Sequence, residues 1–195
     1  MFGFFFFVLP IIVLEASYAQ QTNLTTNATE TTTVTKVDNN NTGIILAESL
    51  QNPITGSFGD DRLTGTANAD IMIGFLGSDT IHGLDGDDAI QGDEGPDKLY
   101  GDAGNDILQG GIGSDQLYGG EGNDILAGGL DDDFLVGGEG NDKLYGDIGD
   151  DILIGGPGAD YFDCGDGIDV IMDFNLTGGD DRAGNCEEIL QLGTS

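Results

Sequence analysis

An all-β array of short stacked strands is the fold class this sequence predicts, and three observations carry it. From Gly56 to Met172 the chain divides into thirteen nine-residue units with no insertion or deletion, from GSFGDDRLT and GTANADIMI through GGEGNDKLY to CGDGIDVIM. The sixth position is Asp in all thirteen, and the eighth is always apolar, from Leu63 to Ile171. Position one is Gly in twelve units, with Cys164 in the last, and position four is Gly in eleven, with Asn68 and Asp131 as the exceptions.

Each position has a physical reading. Gly at positions one and four predicts a tight turn that visits positive φ, which a residue without Cβ does at low cost. Asn and Asp are the side chains that best tolerate the left-handed region, so Asn68 and Asp131 fit the same turn. Positions seven to nine predict a strand of about three residues, with position eight on the face opposite its neighbours. A strand that short must stack on copies of itself.

The unit resembles G-G-x-G-x-D-x-U-x, the signature of the repeats-in-toxin (RTX) calcium-binding family, over 117 of 195 residues. The resemblance implies a right-handed parallel β-roll (a β-solenoid) in which two units make one coil, with strands on two opposed sheets and turns along both edges. It also implies a calcium ion between the turn of unit n and that of unit n+2, held by turn carbonyls and the position-six Asp. The implied metal residues are Asp61, Asp70, Asp79, Asp88, Asp97, Asp106, Asp115, Asp124, Asp133, Asp142, Asp151, Asp160 and Asp169. Thirteen units offer about eleven such sites in a rod of roughly 31 Å.

Charge agrees with that reading. The chain holds 36 Asp and Glu against five Lys and Arg, a formal net charge of −31, which excludes nucleic acid as a partner because that binding needs a basic footprint. Within the repeats 27 acids face three bases, and about eleven divalent ions would nearly cancel the excess. Like carboxylates stacked about 5 Å apart repel without a counterion. Carboxylate and carbonyl oxygens, with no repeated His or Cys, suit Ca²⁺, whereas Mg²⁺ demands octahedral geometry and keeps its water. The expectation is a chain largely disordered without calcium and ordered by it.

The flanks read in chain order. Residues 1–19 carry an apolar run from Phe2 to Leu14 and end Ser17-Tyr18-Ala19, a secretory signal peptide cut before Gln20, although its positive n-region is missing. The rival is an uncleaved anchor, but about 13 residues of helix span roughly 20 Å against a bilayer core of about 30 Å, so no stable membrane span is expected. Residues 20–42 are Thr- and Asn-rich and read as a disordered linker. Their sequons at Asn23, Asn27 and Asn40, with a fourth at Asn175, read either as glycosylation acceptors or as a product of composition. Residues 43–55 read as an N-terminal cap, in which Ile44, Ile45, Leu46 and Leu50 cover the first open layer.

Residues 173–195 read as the C-terminal cap. Cys164 and Cys186 are the only cysteines, and in a secreted chain they predict one disulfide, with free thiols or an intermolecular pair as the alternatives. It would fasten the tail and place Phe174 and Leu176 over the final layer. Outward positions of odd units give an apolar strip, Tyr100, Tyr118, Phe134, Val136, Ile152, Ile154, Val170 and Met172. That strip is either a self-association or cell-surface partner face or is covered by the tail.

Enzymatic constellations are lacking: no H-E-x-x-H, no G-x-S-x-G, no EF-hand loop, and a lone His82 at an outward ninth position, read as solvated. Family members usually pair such repeats with a catalytic or pore-forming domain and a C-terminal export signal. This sequence leaves no room for the former and carries an N-terminal signal instead. The expected function is a secreted, extracellular or cell-surface calcium-binding module of structural or adhesive kind, with a calcium buffer or sensor acting on a partner as the alternative.

Overall fold

A computed structural model describes residues 35–37, 44–46, 53–186 and 188–189. The expected signal segment, most of the expected linker, Leu50 and the sequons at Asn23, Asn27 and Asn40 lie outside them. Two compact units divide the chain at Ser49 and Leu50. In the first, Thr35–Val37 pairs antiparallel with Ile44–Leu46, joining three residues of the expected linker to three of the expected cap.

The second unit is a parallel β-solenoid with two sheets of eight strands. One sheet runs through Ile54–Thr55, Ile71–Leu76, Ala89–Glu94, Ile107–Ile112, Ile125–Leu130, Lys143–Ile148, Tyr161–Asp163 and Asp181–Arg182. The other runs through Arg62–Thr64, Thr80–Asp85, Lys98–Ala103, Gln116–Glu121, Phe134–Glu139, Ile152–Ile154, Val170–Ile171 and Glu188–Ile189. Within the repeats neighbouring strands pair 18 residues apart, as in Met72↔Ile90 and Leu117↔Leu135, which is two units per coil.

Position eight fills the interior as expected: Met72, Ile81, Leu99, Leu108 and onward to Phe162 and Ile171 are fully buried. Ile54 and Leu63 at the first layer are only partly covered. Strand length departs from the expected three residues. From Ile71 to Ile148 the strands are six residues long, because positions one to three of the next unit continue the ladder before the chain turns. Position one is thus an inward strand residue, and its burial alternates in phase with position eight.

At the far end Cys164 and Cys186 form the expected disulfide. Phe174 is buried with its ring edge-on to Phe162 at 5.9 Å. Leu176 is 72% exposed and covers nothing: Asn175 begins a turn whose amides close onto Asn175 itself, and that turn carries the next side chain outward. Among the described residues the tail does not cross the apolar strip either. Asp181–Arg182 and Glu188–Ile189 extend the two sheets instead, leaving the strip half-exposed.

Candidate metal centre

Coil-to-coil linkage runs through the position-six Asp. The Asp61 amide donates to Asp79 Oδ1 at 2.7 Å, that of Asp79 to Asp97 at 2.7 Å, that of Asp97 to Asp115 at 2.8 Å, and the series continues to Asp151 and Asp169 at 2.9 Å. The Asp carbonyl meanwhile accepts the amide 19 residues on, as in Lys98 to Asp79. From Asp70 to Asp169 these side chains are at most 4% exposed.

Their second oxygen has a different fate in different units. In the first two, position two is Ser57 or Thr66, whose backbone amide donates to Oδ2 of Asp61 or Asp70 at 2.6 Å. From the third unit on, position two lies in the left-handed region: φ is 81° at Phe75 and Leu84, 81° at Asp93, 71° at Asp102 and 123° at Gly111. There Oδ2 of Asp79, Asp88, Asp97, Asp106, Asp115, Asp124, Asp133, Asp142, Asp151 and Asp160 is buried and accepts no hydrogen bond. A buried carboxylate oxygen in that state is costly unless something positive reaches it.

The position-one glycine is explained by this oxygen and not by its dihedral. None of Gly74, Gly83, Gly92, Gly101 and Gly110 has positive φ. A Cβ on Gly74 would stand 2.2 Å from Asp79 Oδ2 and 2.8 Å from the Gly92 carbonyl oxygen, and one on Gly110 would stand 2.3 Å from Asp115 Oδ2 and 2.6 Å from the Gly128 oxygen. Glycine keeps clear a space on which a carboxylate and a carbonyl of the next coil converge. The expected positive φ belongs to positions two and four. At position four it holds from Gly77 to Gly149, including Asp131 at 77°, but Asn68 does not adopt it. The signal for position two was visible: six of the later units carry Gly there.

Burial dominates the electrostatics. It pushes Asp133 up to about 8, against the lowering effect of the Asp115 amide and with the carboxylates of Asp115, Asp151 and Asp131 adding to it. Asp115 and Asp151 are pushed to about 7, and Asp88, Asp97, Asp106, Asp124 and Asp160 to about 6, burial again first.

The donor set fits a hard divalent cation, with oxygen ligands, buried anionic charge and Cβ-free cradles. Among the described residues no three His, Cys, Asp or Glu side chains converge, so such an ion would draw mainly on backbone carbonyls. His82 is not simply solvated. It stacks on Tyr100 at 4.3 Å, with Tyr118 next at 4.9 Å, and its Nδ1 lies 3.1 Å from Asp102 Oδ2.

The family model of the RTX calcium-binding nonapeptide repeat matches in four copies, over residues 55–90, 82–117, 100–135 and 136–171. No curated protein matches the chain.

Proposed function

The chain belongs to the RTX calcium-binding nonapeptide-repeat family, and from that premise we propose that it is a secreted protein whose roll orders as calcium enters between stacked turns. The observation that supports this reading is the row of buried Oδ2 atoms without a donor, each beside a glycine that leaves room for no side chain. Interior Asp residues would hold the ions together with carbonyls such as those of Gly92 and Gly101, about eleven ions in all. Bound calcium supplies the positive charge that offsets the stacked carboxylates. Asp61 and Asp70, whose second oxygens are taken by their own turns, would be the weakest ligands of the thirteen.

A regular rod with a half-exposed face suits a structural or adhesive extracellular module, the face of Tyr100, Tyr118, Phe134, Val136, Ile152 and Ile154 meeting a cell-surface partner or a second copy. Exposed Asn175, with Asn23, Asn27 and Asn40 in the linker, would carry glycans. The second reading, a calcium buffer or sensor, draws on that same face, since its rows exist only where the coils are ordered. Calcium titration of the full chain, followed by calorimetry and far-UV circular dichroism, separates the two. A steep cooperative transition near millimolar calcium supports the structural role and micromolar affinity the sensor. A full β signal in excess chelator at neutral pH refutes calcium-coupled ordering.

A further inference from the structure

The outer surface of the sheet that begins at Ile54 is uneven where position two varies. In three successive strands that position is Phe75, Asp93 and Gly111, in register. The row descends from a ring to a carboxylate to bare backbone, and a groove of about 440 Å³ opens there. Phe58 and Phe75 wall one end, their rings edge-on at 6.4 Å. Leu76 and Ile112 line the turn side, and Asp93 and Glu94 lie between them. None of the lining residues is basic.

Phe75 is an expensive choice for this place. Its φ of 81° is one that a bulky residue adopts only under constraint, and farther along the same sheet the corresponding positions are Gly111, Gly129, Asp147 and Gly165, none of them bulky and apolar. Phe58 is 82% exposed, with nothing in the solenoid's core to hold it. Neither ring serves the interior.

We infer that this groove docks an extended segment of a partner protein through a Lys or Arg side chain. Charge complementarity sets the sign: the carboxylates of Asp93 and Glu94 and the two aromatic rings at the end of the groove favour a cation. The aliphatic stem of Lys or Arg would lie along Leu76 and Ile112 while its head reaches the acids. A groove open along its length and three strands wide, about 10 Å, suits a side chain carried on extended backbone. A small free amine would leave too much of its surface in water there, since small-molecule sites enclose most of their ligand.

The test uses the full chain with calcium present and a fluorescein-labelled peptide of alternating Lys and Ser, read by polarisation. Phe58→Ser and Phe75→Gly each weaken binding about two- to five-fold, and about tenfold together. Phe75→Gly also relieves the left-handed strain, so its melting temperature holds or rises while binding falls, which separates a lost contact from a lost fold. Glu94→Gln weakens binding, whereas Glu139→Gln, the same charge change at position three of the opposite edge, leaves it unchanged. Acetylating the peptide lysines abolishes binding. Equal losses from Glu94→Gln and Glu139→Gln would overturn the inference, because the field of the acidic rod would then suffice. So would undiminished binding by the double Phe variant, or full displacement of the peptide by tetramethylammonium at equal concentration.

Discussion

Without calcium the solenoid should become more stable as pH falls. Asp88, Asp97, Asp106, Asp115, Asp124, Asp133, Asp151 and Asp160 have pKa values raised by burial to between about 6 and about 8, above the roughly 3.9 of an unfolded chain. The folded state therefore holds more protons than the unfolded state across that interval, and stability declines as pH rises through it. The contribution is fully present below about pH 4 and lost by about pH 8. Each unit is worth about 1.4 kcal/mol, so Asp133, at about 8, accounts for roughly 6 kcal/mol, and Asp115 and Asp151, at about 7, for roughly 4 kcal/mol each. These side chains are at most 3% exposed, which leaves little solvent screening to discount. The three overlap, because Asp115 and Asp151 each help to raise Asp133, yet one of them alone is a large fraction of the 5–15 kcal/mol that holds a typical domain together. In metal-free buffer, far-UV circular dichroism and thermal melting should show a β-rich, cooperatively melting chain near pH 5 that is lost near pH 8. Asp115→Asn should raise the metal-free melting temperature at pH 8 while weakening calcium uptake, since an amide can meet the Gly128 carbonyl but brings no charge. A metal-free β signal that is equal at both pH values, or stronger at pH 8, would refute the reasoning.

Three further outcomes follow from local geometry. Gly110→Ala, whose Cβ would stand 2.3 Å from Asp115 Oδ2 and 2.6 Å from the Gly128 oxygen, should cost about 2 kcal/mol or more and remove one calcium from the calorimetric stoichiometry. Leu84→Gly relieves a φ of 81° and should stabilise the solenoid by up to about 1 kcal/mol in thermal melts. Cys186→Ser opens a bridge spanning 22 residues and should cost about 3 kcal/mol, with hydrogen exchange rising first in Asp181–Arg182 and last in the central strands.

The repeat itself was legible because two of its constraints act on side-chain identity. An interior one coil wide accepts only apolar position-eight residues, and the Asp that pins one coil to the next has no substitute in any of the thirteen units. Two-units-per-coil pairing, the core and the disulfide follow the sequence reading. What it misread are backbone matters. Glycine at position one looks the same in sequence whether it serves a dihedral or a steric need, and only the carboxylate over Gly74 or Gly110 tells them apart. Strand length was underestimated because glycine-rich positions one to three read as turn, although their ladder continues from Ile71 to Leu76 and in the strands that follow. Leu176 was misplaced because its apolarity suggested burial, while the turn closed by Asn175 turns it to solvent.

The difference between the ends and the middle of the array follows from one choice at position two. Where that residue keeps negative φ, as at Ser57 and Thr66, its amide reaches Oδ2 and the turn satisfies itself. At the other end the cap does the same, the Asn175 amide donating to Asp180 Oδ2 at 2.6 Å. Between them the left-handed residue withholds that donor, and the turn is left with an anionic oxygen that only a cation can serve without a proton. An array closed at both ends and open along its middle would take its ions where each turn has a coil on either side. Every ion bound there would stabilise two neighbours at once, which is the nearest-neighbour coupling that makes repeat arrays order cooperatively.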